Sequence, residues 1–229
     1  MKFALFGPAG ATGRHVLQQA LEAGHSVRGI ERDFPNGFPD HERFEKVTAD
    51  TLEDDLRPLV EGCDAVVSAL GLGRDPQTLA DPHPLYTGGA ANIVNAMRPA
   101  GVKRLVVISA AFASPDANAP LWFRAATLPL VAIFRQMAAM EYVLEAADGI
   151  DWTAVRPGWL LNREHTGDYQ VAKDSLPKGT LRTRRADLAD FLLRCASSEE
   201  WVGQRPFVAR REALHLETPP ALVEEILPI

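Results

Sequence analysis

The sequence predicts an α/β fold: a doubly wound, mostly parallel sheet with helices on both faces, in three layers. Three observations carry that expectation. Short apolar runs alternate with stretches of helical spacing through at least residue 156, the pattern of strand–helix–strand crossovers. One run, Leu105-Val106-Val107-Ile108, is apolar at every position, as a parallel strand buried on both faces must be. The chain also opens with an apolar run from Phe3 to Phe6, then a turn, Gly7-Pro8-Ala9-Gly10-Ala11-Thr12-Gly13-Arg14, then helical spacing over Val16-Leu17-Gln18-Gln19-Ala20-Leu21.

Taken in order, Lys2 to Phe6 reads as the first strand and about Thr12 to Ala23 as the first helix, closed by Gly24 in the place of a glycine cap. Ser26 to Glu31 is the second strand and Phe44 to Thr48 a short third. A helix is expected from near Leu52 to just before Gly62, then a strand over Asp64 to Ala69 that breaks at Gly71. The helix Leu85 to Ala100 again ends against a glycine, Gly101. A strand at Arg104 to Ser109, a longer helix at about Ala132 to Ala147 and a strand at Trp152 to Arg156 follow. A helix at Arg184 to Cys195 and a strand at Pro206 to Ala209 complete the reading. The segment Gly71 to Pro84, with its prolines and aspartates, is a loop leaving the C-terminal end of the fourth strand, where ligands of such sheets sit. With no repeat or internal boundary, residues 1–229 are expected to form one domain, its substrate-side elements drawn from about 110–135 and 157–183.

Composition narrows the function. Apolar residues make up 46% of the chain, enough for a full core. A net charge of −6 argues against nucleic acid or an anionic membrane as a partner. No stretch reaches the roughly 18 apolar residues of a membrane span. The greasy segment Ala125 to Ile133 is bounded by Arg124 and Arg135 and broken by Pro129. Cys63 and Cys195 lack metal-ligand or redox spacing, and the six histidines (15, 25, 41, 83, 165, 215) are scattered, so no metal is expected. The first apolar run is too short for a secretory signal and Gly7-Pro8 interrupts it, so a cytoplasmic location is expected.

The glycine turn says most about function. Glycines let the backbone turn tightly and approach a ligand, and the following helix offers free N–H groups and a positive dipole end to a pyrophosphate. Their spacing, at 7, 10 and 13, departs from Gly-x-Gly-x-x-Gly because Ala9 holds the second place. The end of the second strand, Gly29-Ile30-Glu31-Arg32-Asp33, carries both signs of charge. An acid there binds the ribose hydroxyls of NAD, whereas an arginine pairs with the 2′-phosphate of NADP. Arg14 adds a second cation, so NADP(H) is favoured over NAD(H); the plain alternative for Arg32 is a solvated charge beside Glu31 or Asp33.

These segments, with Ala49-Asp50-Thr51-Leu52, Gly62-Cys63-Asp64-Ala65-Val66-Val67-Ser68-Ala69-Leu70-Gly71 and Ala90-Ala91-Asn92-Ile93-Val94-Asn95-Ala96, carry a resemblance. So do Gly101-Val102-Lys103-Arg104-Leu105-Val106-Val107-Ile108-Ser109, Asp151-Trp152-Thr153-Ala154-Val155-Arg156-Pro157-Gly158 and Arg185-Ala186-Asp187-Leu188-Ala189-Asp190. Over about residues 1 to 210 the chain resembles the atypical short-chain dehydrogenase/reductase group, Rossmann-type proteins around flavin reductase (biliverdin reductase B) and the NmrA-like proteins. The resemblance implies that Gly7 and Ala9 shape a loop in which Gly10, Ala11, Thr12, Gly13 and Arg14 hold the pyrophosphate. It implies further that Arg32 meets the 2′-phosphate, Asp50 and Thr51 border the adenine, and Ala69, Leu70 and Gly71 pass beside the adenosine. Ser109, Pro157 and Gly158 would line the nicotinamide end. Asp50 has a plain alternative as a helix cap or turn residue.

Many short-chain reductases protonate their product with a Tyr-x-x-x-Lys pair on the helix after the fifth strand, where the lysine lowers the tyrosine pKa. The only tyrosine between Ser109 and Gly149 is Tyr142, and Ala146 stands four residues on. Tyr169 and Lys173 have the spacing but lie in a late strand or loop, where it reads as chance. Without an acid, hydride transfer suits a planar flavin- or quinone-like acceptor, whose reduced anion solvent can protonate. Ser109 is the candidate catalytic residue, in an orienting role, and Glu141 a weak acid if desolvated or else a surface charge. His83 and His165 are loop histidines, and Trp122, Phe123 and Trp159 form an acceptor wall or core. Arg184-Arg185 reads as a charge-paired helix start, and the tail from Glu212 as a segment packing on its own sheet or on a second subunit. The alternative function is a non-catalytic NADP-binding redox sensor acting through a protein partner.

Overall fold

Strand β1 (Lys2–Phe6) lies inside the sheet, and its side chains alternate between two cores, Ala4 and Phe6 on one face and Phe3 and Leu5 on the other. The computed structural model describes residues 1–72, 84–117 and 119–218. The remaining strands are β2 (Ser26–Glu31), β3 (Phe44–Thr48), β4 (Ala65–Ser68), β5 (Arg104–Ile108), β6 (Asp151–Pro157), β7 (Trp159–Leu161), β8 (Gln170–Ala172), β9 (Arg182–Arg184) and β10 (Phe207–Ala209). They assemble into one sheet in the order β3-β2-β1-β4-β5-β6-β10-β8, with β7 and β9 paired apart. Every pairing in the large sheet is parallel except β10 with β8, where Val208 faces Val171. The order reverses between β1 and β4, and a doubly wound sheet opens its ligand crevice at such a switch point.

The helices are α1 (Gly13–Glu22), α2 (Arg57–Val60), α3 (Leu85–Ala100), α4 (Leu121–Ala126), α5 (Val131–Glu145) and α6 (Arg185–Ala196). Helices α1 and α6 cover one face through Val16, Leu17, Ala20, Leu188, Phe191 and Leu192. The side chain of Gln19 donates to the Ala186 carbonyl at 2.9 Å and ties the two together. Helices α3 and α5 cover the other face with Ile93, Val94, Met97, Met140 and Leu144. This is the expected three-layer α/β Rossmann architecture, and α3 has the bounds its sequence predicts.

Two expectations are corrected. The helix expected from Leu52 shrinks to the single turn Arg57–Val60. Asp50 accepts from Leu52 N–H at 2.8 Å, Asp54 accepts from Asp50 N–H at 2.7 Å, and Asp55 accepts from Arg57 N–H at 3.0 Å. Acidic side chains that satisfy nearby amides in this way compete with helix hydrogen bonds. The second correction is the small parallel β7–β9 sheet, which three-residue strands leave no periodicity to reveal. Gly158 admits it: a Cβ there would stand 2.5 Å from the Leu181 carbonyl oxygen.

Candidate functional site

The glycine turn is built around contacts that exclude side chains. Gly7 has φ +79° and lies against Ala69, whose carbonyl oxygen a Cβ would approach to 2.9 Å. Gly13 is tighter still, since a Cβ there would meet the Gly7 carbonyl oxygen at 1.9 Å. Gly7 donates to Ile30 O of β2, and Gly10 donates to Gly7 O, which fixes the turn between β1 and α1. Gly10 and Ala11 are exposed whereas Thr12 and Gly13 are buried, so the outer curve of the turn faces solvent. Within the described residues, Ala11, Thr12 and Gly13 donate no backbone hydrogen bond. These successive free amides at the start of α1 form the concave, electropositive cradle that suits a pyrophosphate.

The ribose side carries the charges the sequence points to. Glu31, the last residue of β2, accepts from Ala9 N–H at 3.1 Å and from Arg32 N–H at 3.2 Å. Arg14 donates from Nε to the Ala9 carbonyl at 2.9 Å, and its guanidinium sits 5.0 Å above the Phe38 ring. Arg14 and Arg32 are exposed, and no carboxylate comes within ion-pair distance of either among the described residues. Arg32 makes no ion pair with Glu31 or Asp33 among the described residues. Thr51 is buried near the expected adenine side, with its carbonyl and that of Leu52 each taking a 3.1 Å bond from Asn92 of α3. The Asp50 carboxylate serves the turn described above. Ala69 donates to Phe6 O and continues the line of β4, and Gly71 beyond it is exposed.

At the far end the structure reassigns Ser109. The residue is 1% exposed, and its hydroxyl turns inward to donate to Glu141 Oε1 at 2.7 Å. Glu141 on α5 is neither a surface charge nor an isolated acid. Arg156 grips both of its oxygens, at 2.9 and 2.6 Å, and Arg205 Nε lies 3.3 Å from Oε2. Arg205 itself stacks on Trp152 and reaches Glu145 at 2.9 Å. A bidentate pair of this kind is strongly held, and losing one partner would strand a buried charge. The orienting role expected of Ser109 therefore gives way to a packing role between β5 and α5. Pro157 and Gly158 are buried, and Gly158 N–H donates to Thr183 Oγ1 at 2.9 Å, which locks the turn from β6 into β7.

The remaining candidates also find their places. Tyr142 is 71% exposed. Tyr169 donates to Asp190 on α6 at 2.5 Å, and burial with that carboxylate pushes its pKa well above the ordinary tyrosine range, so it stays protonated. Lys173 is exposed beyond β8. Trp122, Phe123 and Trp159 pack edge-to-face with one another through Phe123, and Phe112 and Phe134 join them at tilted angles; Phe123 is fully buried, so the wall is largely core. His165 lies 3.8 Å from both Asp187 and Asp190; His83 and residues 219–229 of the tail lie outside the described residues. Asp187, fully buried, accepts from Thr166 and Gly167 and pins the 162–167 loop to α6. Arg184 pairs with Glu212 at 2.7 Å, and Arg210 joins Glu212 to Asp168. Sequence reading missed this cluster because its members come from separate segments with no common motif.

Beside the start of α1 opens a cleft of about 690 Å³, lined by His15, Asn162, Arg163, Glu164, Glu212 and His215 among others. Its volume is within the usual range for a small-molecule site. No group of three or more metal-ligating side chains occurs among the described residues, and none of their helices is long and apolar enough to cross a membrane.

A Rossmann sheet with a glycine cradle at its switch point defines a dinucleotide-binding protein. A family model described as NAD(P)H-binding matches residues 7–199, and the chain belongs to that family. A chloroplastic protein of Arabidopsis thaliana, itself uncharacterized, is 31% identical over 222 residues, 90% of this chain and 76% of that one. A 3-diazoavenalumate denitrifying reductase of Streptomyces is 36% identical over 158 residues, 61% of this chain and 51% of the reductase. The crystal structure of a proposed NADH-flavin reductase from Streptococcus pneumoniae superposes with a TM-score of 0.74 at 22% identity, over 92% of this chain and all of that one.

Proposed function

We propose that the protein is an NAD(P)H-dependent oxidoreductase, with NADP(H) preferred, that passes a hydride to a planar flavin- or quinone-like acceptor. The observation that carries the reading is the pairing of free amides at Ala11, Thr12 and Gly13 with two cations, Arg14 and Arg32, that have no carboxylate partner among the described residues. Those groups suit a pyrophosphate and an additional ribose phosphate, and the residues present fit the cofactor. When bound, the reduced nicotinamide supplies the hydride. The chain's own part is positioning: the cradle fixes the phosphates, Thr51 and Leu70 border the adenosine, and Pro157 and Gly158 form a rigid rim. Positioning of that kind is a sufficient contribution where the reduced acceptor is a stabilised anion.

The acceptor's chemistry is read from what α5 offers. Where other reductases place a tyrosine and lysine, this helix places Glu141 in a buried pair with Arg156 and leaves Tyr142 facing solvent. Neither serves as a proton donor to an alkoxide, so unactivated ketones are poor substrates. The cleft beside His15 is the acceptor's route of entry, with Asn162 and the two histidines offering hydrogen bonds to its carbonyl edge. A reductase among the relatives, and a flavin reductase among proteins of the same fold, support this class of chemistry. The test is a steady-state assay of NADPH and NADH oxidation against a panel of flavins, quinones and simple ketones. Turnover with the first two and not the third is the expected result. Tight NADPH binding with no turnover on any acceptor would overturn the enzymatic reading.

A further inference from the structure

The two backbone polar groups of Ala9, which belong to successive peptides, are held by side chains of opposite charge. The Ala9 N–H donates to the Glu31 carboxylate at 3.1 Å, and its C=O accepts from Arg14 Nε at 2.9 Å. The arginine is held on a second side as well, its guanidinium 5.0 Å over the ring of Phe38. Phe38 is itself fixed, only 6% exposed and packed at 5.2 Å against Phe34 and 5.9 Å against Phe44. Lys46 also meets it, donating to the Phe38 carbonyl at 2.8 Å with its ammonium 5.8 Å from the ring. Arg14 is thus an exposed cation oriented by a carbonyl and a ring, with no carboxylate partner among the described residues. Restraining a long side chain before its ligand arrives lowers the entropy that binding must overcome.

We propose that Phe38 is the positioning residue that sets the preference for NADPH over NADH, by holding Arg14 toward the ribose 2′-phosphate against the opposing charge of Glu31 on the other side of Ala9. This rests on the reading of the glycine turn as the cofactor site. Glu31 is the natural acceptor for a 2′-hydroxyl and repels a 2′-phosphate, while Arg14 does the reverse. Because the backbone of one residue, Ala9, holds both, a shift of either side chain changes the balance without altering the pyrophosphate cradle that the two cofactors share.

The experiment titrates NADPH and NADH into the full chain and its variants, following nicotinamide fluorescence at two salt concentrations. Phe38→Leu keeps an apolar side chain but loses the ring; it is expected to weaken NADPH about threefold to tenfold and leave NADH within twofold. Phe38→Tyr keeps the ring and is expected to keep the preference. Arg14→Lys, on an exposed side chain that does not threaten the fold, is expected to reproduce the loss, because an ammonium cannot hold the same stacked, carbonyl-anchored geometry. Glu31→Gln is expected to move the preference the other way, tightening NADPH and weakening NADH. Equal changes for the two cofactors in Phe38→Leu, or none, would overturn the proposal. Failure of the unmodified chain to bind either cofactor would instead overturn the reading of the site.

Discussion

A methyl group is the smallest side chain that can be added to Gly13, and the turn has no room for it. The added carbon would stand 1.9 Å from the Gly7 carbonyl oxygen, against backbone that cannot move aside cheaply. Gly13→Ala is therefore expected to lower stability by about 1–3 kcal/mol, the usual range for overpacking, and to abolish NADPH binding. Thermal unfolding and cofactor titration check the two halves of that statement separately. Gly10→Ala is the control. Its Cβ would lie 3.4 Å from Gly7 O and 3.9 Å from Ala69 O, both ordinary contacts, so cofactor binding is expected to suffer more than stability. Ser109 teaches the opposite lesson at the same scale. Its position at the end of β5 points to a ligand, but its proton is committed to Glu141 and its surface is closed.

Helix α5 and strands β5, β6 and β10 meet through Glu141. Ser109 comes from the end of β5, Arg156 from β6 and Arg205 from just before β10, and all converge on that carboxylate. Glu141→Gln keeps the shape and removes the charge, leaving two arginine side chains without their buried anion. The expected loss is about 3–5 kcal/mol, as for other broken buried pairs, read as a lower urea midpoint with unchanged slope. Little change in the midpoint would mean that water compensates the arginines and that the cluster does not anchor α5. A similar logic governs the 162–167 loop, whose amides at Thr166 and Gly167 are satisfied by Asp187.

At the scale of the whole molecule, acid should first release the segment around residues 210–217. Hydrogen bonds from Arg210 and Thr166 hold the Asp168 carboxyl down to about 2 from its ordinary 3.8. Burial pushes the Glu212 carboxyl up, but hydrogen bonds from Arg184 and Arg210 more than offset it and leave the group below its ordinary 4.5. Both carboxyls bind protons less readily in the folded chain than in the unfolded one. Their stabilisation is therefore complete above their ordinary values and is lost as pH falls through the folded ones. Stability from this cluster is expected to stay level down to about pH 4 and to decline toward pH 2. Urea midpoints across that range check it, and Arg210→Gln is expected to flatten the decline.

Much of this fold is legible along the chain because its signals are local. The runs that form β1, β2, β3 and β5 are contiguous apolar or alternating segments, α3 is bounded by Pro84 and Gly101, and the glycine turn is a matter of spacing. Where the reading fails, it does so for a local competitor, as at Asp50, Asp54 and Asp55, or because the strands are too short to show a period, as in β7 and β9. The sequence by itself determined the parallel sheet, the glycine turn and the presence of both charges at the end of β2, since each depends on residues close together in the chain. Only the tertiary structure decided what those residues do. Glu141 reaches Ser109 from 32 positions away, Glu31 reaches Ala9 from 22, and Phe38 comes to Arg14 from the middle of the β2–β3 connection. A carboxylate's role is set by its partners, and packing, not spacing, brings these partners together.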